Sequence, residues 1–223
     1  MRRLAAELDA AYPRIDVIAN NAGGIFSDSA KTVDGFEKTF QINHLAPFLL
    51  TGLLMDKLTA SNSTVIQTSS IGSRMAGKLD LEDLDNERDF NALRAYNAAK
   101  LENILFTKEL HRRYHDQGVS AAAFYPGNIA TSFGSETDSR IIKFIATNPI
   151  ARSILLTTPD KGVDQLVWLA ETRPGVEWQS GNYYEKRKPA KRINPQALDA
   201  DLARELWERS QQLIGDPIAS SGR

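Results

Sequence analysis

Tyr96 and Lys100 stand four positions apart in the run Ala95-Tyr96-Asn97-Ala98-Ala99-Lys100, which has helical character. On a helix, residues four apart share a face, so the Lys100 ammonium can lie beside the Tyr96 phenol. A neighbouring positive charge favours phenolate and lowers a tyrosine's pKa, making it a usable proton donor or acceptor near neutral pH. Spacing alone carries little weight. With six tyrosines in the chain, about one sequence in three would hold a Tyr-x-x-x-Lys by chance. Tyr184-x-x-x-Lys188 is an internal control: it falls at a strand end and is read as incidental. Two unrelated surface residues on a helix are the plain alternative for Tyr96 and Lys100.

Other polar residues gather at the ends of strands, where open α/β sheets bind ligands. Ser70 follows the β-rich run Thr64-Val65-Ile66-Gln67-Thr68, and its hydroxyl could hold a substrate carbonyl beside Tyr96 or simply cap the next turn. Asn20-Asn21-Ala22-Gly23 follows the run Ile15 to Ala19; it either makes a turn or lets the backbone approach a nucleotide closely. Pro126-Gly127 ends a third run, Val119 to Tyr125, with Thr131 just beyond. Three strand ends thus converge on one crevice.

The elements that would position these residues alternate between strand and helix, the pattern of a parallel α/β sheet. Leu4 to Ala11 reads as a helix stopped near Pro13. A long helix is expected from Asp34, through Phe36, Phe40, Leu45, Phe48, Leu49 and Leu53. Residues 72–94 form a long acidic connection, and connections of that length are usually functional or carry structure of their own. Tyr96 to Tyr114 reads as a strong helix. Residues 132–156, with Ile141, Phe144, Ile145 and Ile150, read as an apolar lid or as packing. Thr158-Pro159 begins another helix, Gly181 to Tyr184 a last strand, and Asn194-Pro195 a final amphipathic helix ending at Gly215. Residues 1–215 are read as one domain and 216–223 as a disordered tail.

Composition narrows the function classes. A formal net charge of -1 offers no field for nucleic acid or anionic membrane. The basic clusters Arg112-Arg113 and Lys186 to Arg192 are read as solvated surface. The sequence has no cysteine, which removes disulfides, thiolate metal sites and thiol catalysis. No metal site is expected. No apolar run approaches the length of a membrane span, and the N-terminus lacks the apolar segment of a signal peptide. A cytoplasmic protein is the resulting expectation.

Taken in order, Asn20-Asn21-Ala22-Gly23, Ile42-Asn43-His44, Ser70, Tyr96-x-x-x-Lys100 and Pro126-Gly127-x-Ile129-x-Thr131 make a specific combination. In it the chain resembles the short-chain dehydrogenase/reductase family over nearly its whole length. Tyr96 to Thr107 and the long Ser70 to Tyr96 connection look most like the retinol-dehydrogenase-like branch and its bacterial ketoreductase relatives. The resemblance implies an NAD(P)-dependent oxidoreductase that interconverts a carbonyl and an alcohol on an apolar small molecule. It implies Tyr96 as general acid or base, Lys100 lowering its pKa and binding the nicotinamide ribose, and Ser70 polarising the carbonyl. Asn43 would hold a water in the proton relay, a buried cap or packing role being the alternative. Asn21, Ala22 and Gly23 would line the adenosine side, and Pro126, Gly127, Ile129 and Thr131 would seat the nicotinamide amide. NADP is preferred to NAD as the expected cofactor. The helices at 34–55 and 95–114 are those that often pair between subunits in this family, so a homo-oligomer is expected.

The sequence departs from the family at its front. There is no Thr-Gly-x-x-x-Gly-x-Gly turn to receive a pyrophosphate. The expected fold is an incomplete Rossmann-like, doubly wound parallel sheet lacking three strands and two helices, with the Ile15 to Ala19 strand left as an edge. Two readings stay open: a shortened form of an active enzyme, or an inactive remnant that serves only in assembly or binding.

Overall fold

A computed structural model describes residues 1–127 and 159–215. Five strands form one sheet in the order β1 (Val17–Asn20), β2 (Thr64–Thr68), β3 (Ser120–Phe124), β4 (Asn182–Glu185) and β5 (Lys188–Pro189). The first four run parallel, with Val17 opposite Thr64, Thr64 opposite Ser120, and Ala122 opposite Asn182. β5 returns antiparallel through Lys186 and Arg187, both at positive φ, a hairpin the sequence reading did not anticipate. Among the described residues β1 pairs only with β2, so the expected edge position is observed.

Alternation along β2 and β3 divides the core. Val65 and Ala121 face one layer with Ile18, Phe48, Leu58 and Phe106. Ile66, Ala122 and Phe124 face the other, against Leu169 of the helix Pro159–Glu171. Helices therefore cover both faces of a mostly parallel sheet, the doubly wound arrangement.

The first layer contains α1 (Arg2–Ala11), α2 (Lys38–Phe40), α3 (Ala46–Leu53), α4 (Met55–Ser61) and α5 (Ala92–Tyr114). α6 (Pro159–Glu171) lies on the opposite face, and α7 (Ala200–Ile214) closes the chain. The helix expected from Asp34 starts later. Gly35 adopts φ +87, and the Glu37 carboxylate accepts hydrogen bonds from the Thr39 and Phe40 amides as the cap. It is also not one helix, because Gln41–Leu45 forms a π-turn between α2 and α3. α5 begins one turn earlier than expected, capped by Asn91, whose Oδ1 accepts from the Arg94 amide. The final helix is divided as well: Pro195–Leu198 is a 3-10 turn, and Asp199 caps α7. Polar side chains that capture amides locally move each boundary.

α7 packs on α5 and α3. Trp207 lies edge-on to Phe48 at 4.9 Å, stacks on Phe106 at 5.5 Å, and has the Arg113 guanidinium 4.9 Å above its ring. α7 thus covers part of α3 and α5 through Trp207. No described helix is long and apolar enough to cross a membrane. The apolar 132–156 segment, the cap Thr158 and the 216–223 tail lie outside the described residues.

Because Trp207 is only 2% exposed and joins three helices, Trp207→Ala should lower unfolding free energy by about 3–5 kcal/mol. Denaturant titration checks this, and a loss under about 1 kcal/mol would mean α7 is not integral to the core.

Candidate active site

β2 ends at Thr68, and Ser69 joins three elements there. Its amide donates to the Phe124 carbonyl at 2.8 Å and its hydroxyl to the Lys100 carbonyl at 2.7 Å. The end of β2 is thereby fastened to β3 and to the middle of α5. The sequence reading gave Ser69 no role, and its place next to Ser70 was the available signal.

Ser70 is extended, and its Oγ accepts the Gly72 amide at 3.1 Å, capping the 3-10 turn Ile71–Met75. The same hydroxyl is hydrogen-bonded to the Tyr96 phenol. The capping role and the candidate chemical role are therefore compatible: the cap uses a lone pair of Oγ and fixes its direction. Gly72 is required for this approach, since a Cβ there would lie 2.4 Å from Asn97 Oδ1 and 3.4 Å from Tyr96 Cε1.

Tyr96 sits one turn inside α5 and is buried. Burial pushes its phenol up to about 12, against the opposing hydrogen bond from Ser70, and nearby Tyr125 adds to the rise. Lys100 is also buried; its Nζ donates to the Thr68 carbonyl at 3.2 Å and lies 5.4 Å from the Tyr96 ring centroid. Loss of hydration lowers its ammonium to about 8. Burial leads among the causes, so the net direction for Tyr96 is upward with the Lys100 ammonium lying over its ring.

Asn43 occupies the centre of the π-turn, a distortion that recurs at functional sites. Its Nδ2 donates to the Gly24 and Thr39 carbonyls, both at 2.8 Å, and its Oδ1 accepts the Gly24 amide at 3.2 Å. The side chain clamps the segment after β1, as the packing alternative anticipated. A Cβ at Gly23 would lie 2.4 Å from Asn43 Oδ1 and 3.3 Å from Lys100 Nζ. Gly23 thus marks where backbone, amide and ammonium meet. Asn21, on the exposed side of this loop, accepts the Thr68 hydroxyl at 2.8 Å, and Ala22 is exposed beside it.

Pro126 and Gly127 follow β3, and Gly127 has φ +91, a backbone conformation that favours glycine. Ile129 and Thr131 lie outside the described residues. The control pair behaves as incidental: the Tyr184 hydroxyl donates to the Gln179 carbonyl at 2.9 Å on β4, while Lys188 is exposed on β5. A group missed by the sequence reading is Arg74, four residues after Ser70. It forms a bidentate pair with Glu185 at 2.5 and 2.6 Å and donates to the Arg192 carbonyl at 2.8 Å. This pair ties the Ser70 turn to β4, which sequence separation concealed.

Ser70, Tyr96, Lys100 and Asn43 therefore lie in one connected assembly at the carboxyl ends of β1, β2 and β3, with Gly23 at its centre. Strand ends, a tyrosine–lysine pair on the helix after β2 and a serine bound to that tyrosine meet at the carboxyl edge of this α/β sheet. The family model described as short chain dehydrogenase matches residues 1–141. DnrU of Streptomyces sp. strain C5, named for daunorubicin C-13 ketoreductase, is 40% identical over 97% of the chain and 71% of its own length. Mouse retinol dehydrogenase 14 is 35% identical, over 96% of the chain and 64% of its own length. A crystal structure of an uncharacterized protein from Mycobacterium paratuberculosis superposes with TM-score 0.72 at 31% identity, over 96% of this chain and 70% of that one. The chain belongs to the short-chain dehydrogenase family. It spans about two thirds of the length of these relatives.

The Gly23 contacts give a direct test of the assembly. Gly23→Ala should destabilise the fold by about 1–3 kcal/mol through overpacking. In an Asn43→Ala background the penalty should shrink, because the colliding Oδ1 is gone. Equal penalties in a double-mutant cycle of denaturant unfolding would show that Gly23 and Asn43 do not meet.

Proposed function

We propose that this chain carries the catalytic half of an NAD(P)-dependent oxidoreductase that interconverts a ketone or aldehyde and an alcohol. The observation that carries this reading is the Ser70–Tyr96 hydrogen bond with the Lys100 ammonium beside the same ring.

The residues fit the nicotinamide-ribose half of a dinucleotide. Lys100 has one protein acceptor given by its geometry, the Thr68 carbonyl, and an ammonium has three protons. Gly23, without a side chain, leaves the backbone open next to it. The sequence has no glycine-rich turn to cradle a diphosphate, so that half is not supplied by the residues given. A bound nicotinamide dinucleotide supplies the hydride.

The chain's own residues handle the proton. The Ser70 hydroxyl, held in direction by the Gly72 amide, donates to the substrate carbonyl oxygen and polarises it. The Tyr96 phenol, which burial keeps protonated at neutral pH, transfers its proton to that oxygen as negative charge develops. The Lys100 ammonium then stabilises the phenolate across a site with little water to screen it. In the oxidative direction the phenolate accepts the alcohol proton. Asn43 acts by holding the Gly24 segment, which keeps Gly23 against Lys100; a relay water beside it belongs to the same reading. Pro126, Gly127, Ile129 and Thr131 would seat the carboxamide, and Asn21 and Ala22 the adenosine side. The substrate is taken to be an apolar carbonyl compound, consistent with exposed Ile71, Met75 and Leu93 around the Ser70–Tyr96 region.

The titration of Lys100 gives reduction a specific pH profile. Its folded pKa is depressed to about 8, so the ammonium is complete well below that value, half lost at it and gone well above it. The reductive rate should be level toward neutral pH and fall above about pH 8, and Lys100→Arg should remove that fall at some cost in rate. Tyr96→Phe should reduce carbonyl turnover by about 10²–10⁴-fold. An unchanged rate in steady-state assays of Tyr96→Phe would defeat the mechanism.

Cofactor binding is separately measurable by thermal unfolding with NADPH, then NADH. NADPH is put first, and the comparison decides between them. Saturation at one hundred times Kd contributes about 2.7 kcal/mol, or roughly 5–10 °C in Tm for a chain of this size. No shift with either would show that the residues given do not hold the dinucleotide unaided.

A further inference from the structure

Lys100 does not hold the Thr68 carbonyl alone. Asn103, three residues further along the same face of α5, donates its Nδ2 to the same oxygen at 3.1 Å, against 3.2 Å for Lys100 Nζ. Asn103 is 2% exposed and is given no role above. Its Oδ1 has no close protein partner and lies on the side of His44 Nδ1. His44 is itself buried, with Nε2 2.9 Å from the Ser210 hydroxyl of α7 and Nδ1 4.0 Å from Glu102 Oε2. Burial holds His44 down to about 3 and keeps the Glu102 carboxyl well above its usual range, the nearby Glu37 carboxylate adding to the latter. Burial thus favours the neutral form of both, while the Glu37 carboxylate is the charge that acts on Glu102.

The Asn103 amide points its Nδ2 at the Thr68 carbonyl, while its Oδ1 and His44 Nδ1, both buried, make no hydrogen bond. Thr68 is the last residue of β2, opposite Phe124 of β3, and its carbonyl accepts from both side chains of α5. An ammonium with one fixed acceptor has a fixed direction for its remaining protons.

We propose that Asn103 is a positioning residue for the proton-transfer pair: it holds the Thr68 carbonyl where Lys100 binds it. This rests on the reading of Tyr96 and Lys100 as the proton-transfer pair, but the geometry it predicts exists in the free chain. Without Asn103 the carbonyl turns away, and the charged form of Lys100 loses its hydrogen bond. Loss of a bond to the charged form lowers an ammonium's pKa further.

The test is an NMR titration of Lys100 in the intact chain carrying ¹³C-labelled lysine, with Lys100→Arg to assign the signal. The native signal should titrate near 8. In Asn103→Leu it should fall by at least about half a pH unit, and in the less intrusive Asn103→Ala by a similar amount. Thr107→Val is the control: Thr107 is equally buried and bonds only within α5, to the Asn103 carbonyl at 2.8 Å. It should lose stability without moving Lys100. Where carbonyl reduction is measurable, Asn103→Ala should lower kcat by about tenfold or more, with KM for the carbonyl within about twofold. An unmoved Lys100 in both Asn103 variants, or an equal movement in Thr107→Val, overturns the proposal. A moved Lys100 without any carbonyl turnover would instead leave the positioning intact and count against the proposed activity.

Discussion

The site depends on the burial of Lys100. An ammonium removed from water needs acceptors from the protein, and its given acceptor here is a main-chain carbonyl at the end of a strand. That requirement ties α5 to the carboxyl edge of the sheet at one register. Ser69 reinforces the tie from the other direction by donating to the carbonyl of Lys100 itself. Tyr96 follows automatically, one turn earlier on the same face. The Tyr96 phenol is positioned by where the charge can be satisfied.

The rest of the fold can be read as support for this arrangement. Nearly every residue of α5 from Ala95 to Leu110 is buried, an unusual condition for a helix with two glutamates, two asparagines and two lysines in that stretch. α3 and the π-turn cover one side, the sheet another, and α7 the remainder through Trp207. Enclosure lowers the local dielectric, which strengthens the few polar contacts that are made and raises the cost of those that are not. It also explains why the tyrosine and lysine shift in opposite directions, each away from its charged form.

The small residues of the site serve close approach. Gly23 admits Asn43 and Lys100, Gly72 admits Asn97 and Tyr96, and Gly127 supplies a left-handed turn after β3. Each belongs to a loop after a parallel strand, where backbone direction changes and a ligand has access. Substrate and dinucleotide would therefore meet the chain mainly through backbone at strand ends and through side chains of a single helix.

Much of this was determined by the sequence alone. β2 is found at Thr64–Thr68 as its run of β-branched residues indicated, and the i, i+4 spacing put Tyr96 and Lys100 on one face before any contact was known. The turn residues after three strands marked where those strands end, and β1 stands at the expected edge among the described residues. What the sequence could not decide were properties set by partners far along the chain. The helix expected from Asp34 begins at Lys38 because Glu37 captures two amides, and it breaks at Asn43 because that side chain bonds a loop on β1. The sign of the Tyr96 shift depends on solvent exclusion by α5's neighbours, which no local spacing contains. Arg74 meets Glu185 across 111 residues, and Ser210 meets His44 across 166. Local sequence encodes which residues share a face, since that follows from backbone period; only the packed chain decides what that face touches and whether water reaches it.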